Sequence, residues 1–286
     1  DPENGFNVNG SYLARVYSIS IEDPEPVYDL TVDGTATYIA NGFISHNSRG
    51  FGGKCVRSDE EWDTPGGEIK TWGEMEGRTF PILAPVEGGV VTTLGMAEDN
   101  GPQTVWNITL HSGIRISRTE EHPVYSALPK NGKAILPRLR FASKINRGHL
   151  VLVPNKLAGF PEGEERADDD YAYWGVLLSN PKHAGTPPSW MLQGSEKQLK
   201  LLVNKLFSCN RHALVLDRGR YPDVQFTTYN EKIANLLTRA MHRLGAPGNL
   251  RRFKSRDQYG RKSAAMLDTY TWSPLPEFID EFFDVI

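Results

Sequence analysis

The chain has 286 residues, of which 39% are hydrophobic and 23% charged, and its formal net charge is −3. This length allows one large or two medium domains, each able to bury a core. No apolar run reaches the roughly 18 residues of a membrane span, and Asp1 does not open a signal-peptide pattern. Two cysteines are a weak case for a disulfide and suit a reducing compartment, so we expect a cytoplasmic protein.

Residues 11–155 predict a series of short strands, because β-branched and apolar residues alternate with polar ones between turn residues. The strand segments are SYLARVYSISI, VYDLTV, TATYIANG, GEIKTW, RTFPILAPV, GVVTTLGM, QTVWNITLHSG, IRISRT and HLVLVP. Turns are predicted at Pro65-Gly66-Gly67, Asp99-Asn100-Gly101 and Asn131-Gly132. We therefore expect an all-β unit in this part of the chain.

A linker rich in Pro, Gly and acidic residues is predicted at 156–170, and helical periodicity follows it. Helices are predicted at 171–179, at 194–209 with Ser195 as N-cap, at 230–244 between Asn230 and Gly245, and at 276–283. The strand-like segments between them are ALVLD, VQFTTY, LRRFKS and MLDTYTW. This alternation predicts a separate α+β domain.

The charge is unevenly distributed along the chain. Residues 1–47 carry one basic and seven acidic side chains, a net charge of −6, whereas residues 211–262 carry 12 basic and 4 acidic, a net charge of +8. This local basic excess suits a surface that faces nucleic acid, although a solvated basic face is an equal alternative.

Three short motifs carry side chains suited to chemistry on peptide bonds. His46-Asn47-Ser48 places a general acid or base, an amide that can cyclise and a hydroxyl nucleophile on consecutive residues. Cys55 follows closely, and a thiolate is the best side-chain nucleophile near neutral pH. Thr119-Glu120-Glu121-His122 adds a second acid–base group. A nucleophile next to the scissile carbonyl reacts intramolecularly, which greatly raises its effective concentration.

The stretch from Val27 to Ser48, with VYDLTV, ANG and a final His-Asn before Ser, resembles the C-terminal end of an intein, a self-splicing protein element. The stretch from Cys55 to about Tyr125, which begins with Cys and contains T-x-x-H, resembles the N-terminal end of an intein. In this chain the stretch that resembles the C-terminal end of an intein comes before the stretch that resembles the N-terminal end. We therefore interpret the chain as a circularly permuted intein, in which residues 48–54 form a short extein between the two halves.

The resemblance implies a catalytic role for each motif residue. Cys55 would attack the Lys54 carbonyl to give a thioester, with His122 as proton donor and Thr119 as the oxyanion or orienting group. Ser48 would take over the acyl group, and Asn47 would then cyclise with help from His46. Asp29, in VYDLTV, matches an acidic position that in some inteins assists at the first Cys. In this permuted order, residues 48–54 would leave as a cyclic peptide.

One position departs from the intein pattern. Inteins usually carry His two residues before the aromatic residue of the last block, where this chain has Ala36. That His normally aids Asn cyclisation, so its absence predicts slow or blocked cleavage after Asn47.

The second half resembles LAGLIDADG homing endonucleases, which commonly sit inside inteins. Residues 170–180 resemble the signature helix of that family, and VQFTTYNEKIANLLTRAMHRLGAPGNLRRFK resembles its strand–helix–basic-strand segment. Asn180 stands where the family has a carboxylate that binds Mg²⁺, and an amide is a poorer ligand for a hard cation. The resemblance therefore implies a degenerate endonuclease domain, which needs Mg²⁺ only if it is active. The candidate DNA-binding residues are Arg251, Arg252, Lys254, Arg256, Arg261 and Lys262.

The expected fold is a mainly β splicing domain, the horseshoe (Hint fold) shared by inteins and hedgehog autoprocessing domains, plus a smaller α+β LAGLIDADG-like domain. The expected parts are the C-terminal intein segment 1–47, the extein 48–54, the N-terminal intein segment 55–160 and the endonuclease-like domain 161–286. The expected partners are the chain's own extein peptide and DNA through residues 168–286; we expect a monomer without a cofactor for splicing. Two alternatives remain open: a DNA-binding or DNA-cutting protein, and a hedgehog-like domain that forms a thioester without ligation.

Overall fold

The structure is a computed structural model in which the chain forms two compact units, residues 1–159 (unit 1) and 160–286 (unit 2). Within these units the structure describes residues 10–35, 37–46, 54–86, 89–128, 137–157, 160, 166–180, 185–211, 213–216, 223–253 and 268–286. The chain is mainly β, with one large sheet and a few helices.

Unit 1 is built from antiparallel strands, as the alternating sequence pattern predicts. Its strands are β1 Ser11–Val32, β2 Thr37–Ala40, β3 Phe43–His46, β4 Val56–Arg57, β5 Glu61–Asp63, β6 Ile69–Thr71, β7 Thr79–Val86, β8 Gly89–Leu110, β9 Arg115–Thr119, β10 Pro123–Ala127, β11 Arg138–Phe141 and β12 Leu150–Pro154. Ten strands form one sheet in the order β2-β3-β10-β12-β1-β4-β9-β8-β7, with β11 paired to β10. The remaining two, β5 and β6, form a separate hairpin.

Two predicted breaks in unit 1 are wrong. The segments SYLARVYSISI and VYDLTV belong to the single strand β1, and GVVTTLGM and QTVWNITL belong to the single strand β8. These two strands pair with each other from Val16–Leu110 to Val32–Gly95, and register shifts take up the irregular residues. The predicted turn at Asp99-Asn100-Gly101 is one of these irregularities, because Gly101 adopts a φ of 67° without ending the strand.

The hairpin that carries His46 is specified by its turn. Asn41 and Gly42 connect β2 to β3 and have φ angles of 47° and 73°, which only such residues adopt at little cost. The pairing of Thr37 with His46 then fixes His46 at the open end of this hairpin. Strand β3 continues into the main sheet through the pairing of Ser45 with Val124 of β10.

In its described residues, unit 2 is an α+β arrangement of four α-helices and a four-stranded antiparallel sheet. Its elements are α1 Asp168–Leu178, α2 Glu196–Cys209, β13 Leu214–Leu216, β14 Asp223–Thr228, α3 Glu231–Leu244, β15 Gly248–Phe253, β16 Thr269–Pro274 and α4 Ile279–Val285. The strand order is β13-β14-β16-β15. The predicted caps are present: Ser195 forms a capping box with Gln198, Asn230 accepts from the Lys232 amide, and Gly245 ends α3 at a φ of 86°.

The core of unit 2 packs helices against this sheet around aromatic side chains, among them Phe207, Trp272 and Phe282, whose rings lie 5.1–6.0 Å apart. Helix α1 approaches α2 closely at Gly175. A Cβ atom at this position would lie 2.6 Å from Lys205 Cβ and 2.8 Å from the Leu202 carbonyl oxygen. Only glycine allows this approach.

Candidate active site

Cys55 and Thr119 meet at the end of the pairing between β4 and β9, although 64 positions separate them in sequence. The Cys55 amide donates to Thr119 Oγ1 at 2.8 Å, and the Thr119 amide donates to the Cys55 carbonyl at 3.1 Å. Cys55 is fully buried and packs against Val27 and Val105. The Thr119 hydroxyl therefore contacts the nitrogen of the 54–55 peptide bond.

His122 lies against the same peptide bond. Its amide donates to the Thr119 carbonyl at 3.1 Å, which closes the T-x-x-H turn and directs the ring inward. Burial lowers the pKa of His122 well below 6.5, and the positive charge of Arg118 lowers it further. Backbone groups of Lys54 and Cys55 lie close enough to the ring to raise it, with a smaller effect. The imidazole is therefore neutral at pH 7 and can accept a proton.

Tyr38 borders the other side of the imidazole ring. Its hydroxyl lies 3.4 Å from His122 Nε2, and the two rings meet edge to face. Burial raises the pKa of Tyr38 above its ordinary value, so the hydroxyl keeps its proton. A hydroxyl both donates and accepts hydrogen bonds, so Tyr38 can accompany His122 in either tautomer.

A buried ion pair that sequence reasoning missed lies beside this histidine. The Arg118 guanidinium is fully buried and contacts both carboxylate oxygens of Glu60, at 2.8 and 2.9 Å. Its other nitrogens lie 3.3 and 3.4 Å from Ser45 Oγ on β3. Arg118 thus connects β9, which ends in Thr119, to β3, which ends in His46. The sequence offered one sign of this pair, an arginine directly before the T-x-x-H motif.

His46 lies close enough to His122 to influence its charge, and Asp29 lies close enough to influence Tyr38, the neighbour of His122. His46 is half-buried, and its charge lowers the pKa of His122, a smaller effect than those of burial and Arg118. Asp29 is half-buried on β1, one residue beyond Tyr28, which pairs with Val56 next to Cys55. The predicted residues Asn47 and Ser48, and the departing position Ala36, lie outside the described residues.

Asn100 is a further residue that sequence reasoning missed. Its side-chain nitrogen donates to Cys55 Sγ at 3.0 Å. It belongs to the segment predicted as a turn, and its contact with the thiol depends on a strand irregularity that no local pattern reveals.

In unit 2, three of the candidate residues are exposed and the others lie outside the described residues. Asn180 is exposed and follows Ser179, the C-cap of α1. Arg251 and Arg252 are exposed on β15, and Arg252 pairs with Asp268 and lies over the Tyr270 ring. The other candidates, Lys254, Arg256, Arg261 and Lys262, lie outside the described residues.

Among the described residues, no group of three or more histidine, cysteine, aspartate or glutamate side chains could hold a metal ion. An amide oxygen also brings no negative charge, so Asn180 does not fit Mg²⁺ as a carboxylate would. In the same part of the chain, no helix is both long and apolar enough to cross a membrane.

Comparison with known proteins gives no further assignment. No protein-family model matches the chain, and a search of curated proteins finds no match.

Proposed function

We propose that unit 1 is an autocatalytic protein-splicing domain of the intein type in permuted order, which acts on the chain's own peptide bonds at 54–55 and 47–48. The observation that carries the proposal is the meeting of Cys55, Thr119 and His122 around one peptide bond. A thiol, a neutral imidazole and a hydroxyl contact the same amide, and each is a group that an N-to-S acyl shift requires.

The first step exchanges an amide for a thioester. His122 takes the thiol proton of Cys55, and the sulfur attacks the Lys54 carbonyl carbon to form a C–S bond. The C–N bond then breaks, and His122 returns the proton to the departing Cys55 nitrogen. A neutral histidine can perform both transfers in turn, whereas a histidine that is already charged could perform only the second. Thr119 holds the amide N–H during this exchange.

The later steps need Ser48 and Asn47. The Ser48 hydroxyl attacks the thioester, releases the Cys55 thiol and forms an ester to Lys54. The Asn47 side-chain nitrogen then attacks its own backbone carbonyl, closes a succinimide and frees the Ser48 amine. That amine displaces the ester oxygen, so residues 48–54 become a cyclic peptide and residues 1–47 and 55–286 remain.

Intact mass spectrometry under denaturing conditions tests the proposal directly. The purified chain is incubated near neutral pH with reducing agent, and its mass is measured before and after. We expect the masses of residues 1–47 and 55–286, together with a cyclic peptide of residues 48–54 that is lighter by one water than its linear form.

Three variants separate the steps. Cys55→Ala should abolish the cyclic peptide, Asn47→Ala should block cleavage after residue 47, and Cys209→Ser, at the exposed second cysteine, should change nothing. Ala36→His should accelerate cleavage after Asn47. If the intact mass persists both in the wild type and in Ala36→His, the chain does not splice and the proposal is wrong.

For unit 2 we propose a DNA-binding domain of endonuclease ancestry that has lost the metal-binding carboxylate. The exposed arginines Arg251 and Arg252 on β15 support DNA binding, and the amide of Asn180 supports the loss of cleavage. An assay for Mg²⁺-dependent nicking of plasmid DNA checks this: we expect none from the wild type, and nicking by the wild type would contradict the proposed loss.

A further inference from the structure

Asn100 owes its position to a bulge in β8. Pro102 pairs with Pro26 and Asp99 pairs with Tyr28, so two residues of β8, Asn100 and Gly101, lie opposite the single residue Val27 of β1. Such bulges redirect a side chain and occur frequently beside active sites. Here the opposing residue, Val27, packs against Cys55, and the bulge brings the Asn100 amide to the sulfur.

The bulge does not depend on the Asn100 side chain. The Gly101 amide donates to Asp99 Oδ1 at 2.9 Å, and Gln103 Nε2 donates to the Asn100 backbone carbonyl at 3.3 Å. Neither bond uses an atom of the Asn100 side chain. The side-chain nitrogen donates instead to Cys55 Sγ, an atom that forms a bond in the proposed reaction.

The apolar surroundings of Cys55 make a hydrogen-bond donor to its sulfur important. Val27 and Val105 enclose the thiol in apolar contacts, and burial of that kind disfavours the charged thiolate. A thiol sulfur is a weak acceptor of hydrogen bonds, whereas a thiolate is a strong one, so an N–H donor favours the thiolate. Asn100 supplies such a donor at 3.0 Å.

We propose that Asn100 is a further catalytic residue, whose side-chain amide donates to the Cys55 sulfur and stabilises the thiolate that attacks the Lys54 carbonyl. This inference rests on the proposed function. Asn100 exchanges no proton: His122 receives the proton of the thiol and delivers it to the departing nitrogen. The hydrogen bond weakens once the sulfur carries the acyl group, because a thioester sulfur is a poor acceptor.

A titration of the thiol tests the inference without requiring splicing. The full chain with Cys209→Ser and Asn47→Ala contains one cysteine and cannot lose residues 48–54 through Asn cyclisation. The ultraviolet absorbance of the thiolate is followed against pH in this chain and in its Asn100→Ala, Asn100→Asp and Gln103→Ala variants.

We expect Asn100→Ala to move the titration midpoint of Cys55 upward by about one pH unit, as for the loss of a hydrogen bond to a charged group. Asn100→Asp should move it further, because a carboxylate adds repulsion. Gln103→Ala removes a hydrogen bond of the same bulge but no donor to the sulfur, so it should move the midpoint less than Asn100→Ala. An unchanged or lowered midpoint in Asn100→Ala would overturn the inference.

The pH dependence of cleavage supplies a readout that a merely structural residue would not move. Cleavage at Cys55 is driven with hydroxylamine across a pH series. Below both midpoints the Asn100→Ala chain has about tenfold less thiolate but a more nucleophilic one, so we expect cleavage about threefold slower. Above both midpoints we expect it to be faster than the parent. Slower cleavage by the same factor at every pH would indicate misplacement alone and overturn the inference.

The two experiments also separate this inference from the proposed function. If the midpoint moves but hydroxylamine cleaves nothing at Cys55, Asn100 stabilises the thiolate and the splicing proposal fails. If Cys55-dependent cleavage occurs and neither the midpoint nor the pH profile responds to Asn100→Ala, splicing stands and the role of Asn100 is refuted.

Discussion

At the scale of single residues, the environment of His122 decides what the site can do. The ring is buried beside the Arg118 guanidinium, and both conditions disfavour the imidazolium form. Glu60 balances the arginine charge, so the chain can hold a cation next to a histidine without leaving either charge uncompensated. The neutral imidazole is the form that removes a proton from a thiol.

The pKa of His122 makes stability depend on pH with a definite sign. Between 6.5 and the lower folded-state pKa, the unfolded chain binds a proton at this residue and the folded chain does not. The free energy of unfolding should therefore fall as pH falls below about 6.5, by at most about 1.4 kcal/mol per pH unit from this group.

A ring titration by NMR and calorimetric unfolding at a series of pH values check this prediction. His122→Gln should weaken the pH dependence of the transition, whereas His111→Gln, at an exposed histidine, should not. A His122 ring that titrates at 6.5 or above in the folded protein would contradict the prediction.

The residue scale also shows what the sequence could and could not predict. Cys55, Thr119 and His122 were predicted from short motifs, because their chemistry demands particular side chains at particular spacings. Arg118 and Asn100 were not, because the contact of each depends on tertiary structure. Arg118 points inward on a strand in which four of five residues are buried, so alternation did not reveal its side, and Asn100 reaches Cys55 only through a bulge.

At the scale of elements, helix-cap chemistry was predictable and strand continuity was not. Ser195, Asn230 and Gly245 end their helices as expected, because each satisfies local hydrogen bonds or backbone angles. Strands β1 and β8 continue through Pro26 and Gly101, because each strand is paired with the other along its length. Hydrogen bonding to a strand distant in sequence therefore outweighed the local tendency of Pro and Gly to end a strand.

The close approach of α1 to α2 predicts a large effect of a small substitution. Gly175→Ala would place a methyl group against the Leu202 carbonyl and Lys205 Cβ, so the helices must separate. We expect the free energy of unfolding of unit 2 to fall by about 1–3 kcal/mol, despite the better helix propensity of alanine. Calorimetry measures this. Val176→Ala, at an exposed position of the same helix, is the control and should change little.

Strand β15 offers a matched pair of arginines for a DNA-binding test. Both are exposed, but the Arg252 guanidinium pairs with Asp268, which offsets its charge. We expect Arg251→Ala to reduce the slope of log affinity against log salt by about one, and Arg252→Ala to reduce it less. Fluorescence anisotropy with a random-sequence duplex gives both slopes. If neither variant changes its slope, β15 does not contact phosphate.

At the scale of the whole molecule, the candidate active site and the basic segment belong to different units. Unit 1 contains the candidate active site, and unit 2 contains the basic segment 211–262 and a core of its own. Composition and periodicity indicated this organisation, since the hydrophobic period changes between the two halves. Composition and periodicity did not predict the strand order of the ten-stranded sheet, because that order depends on packing between segments distant in sequence.

An independent core predicts that unit 2 folds alone. Helices and sheet share one cluster of buried side chains around Phe207, Trp272 and Phe282. Residues 160–286, produced as a fragment, should unfold cooperatively at a temperature close to that of the corresponding transition in the full chain. Calorimetry and near-ultraviolet circular dichroism check this. A fragment with helical signal but no cooperative transition would show that unit 2 needs unit 1.

The long strand β1 has a consequence for any chain that is cut on both sides of residues 48–54. Its partners β12, β4 and β8 all follow Cys55 in sequence, and β3 likewise pairs with β10. Strands of residues 1–47 thus pair with strands of residues 55–286. Breaking the two peptide bonds at 47–48 and 54–55 removes none of these strand pairings. The two pieces should remain associated as a non-covalent heterodimer. Residues 1–47 and 55–286, produced separately, should also associate when they are mixed.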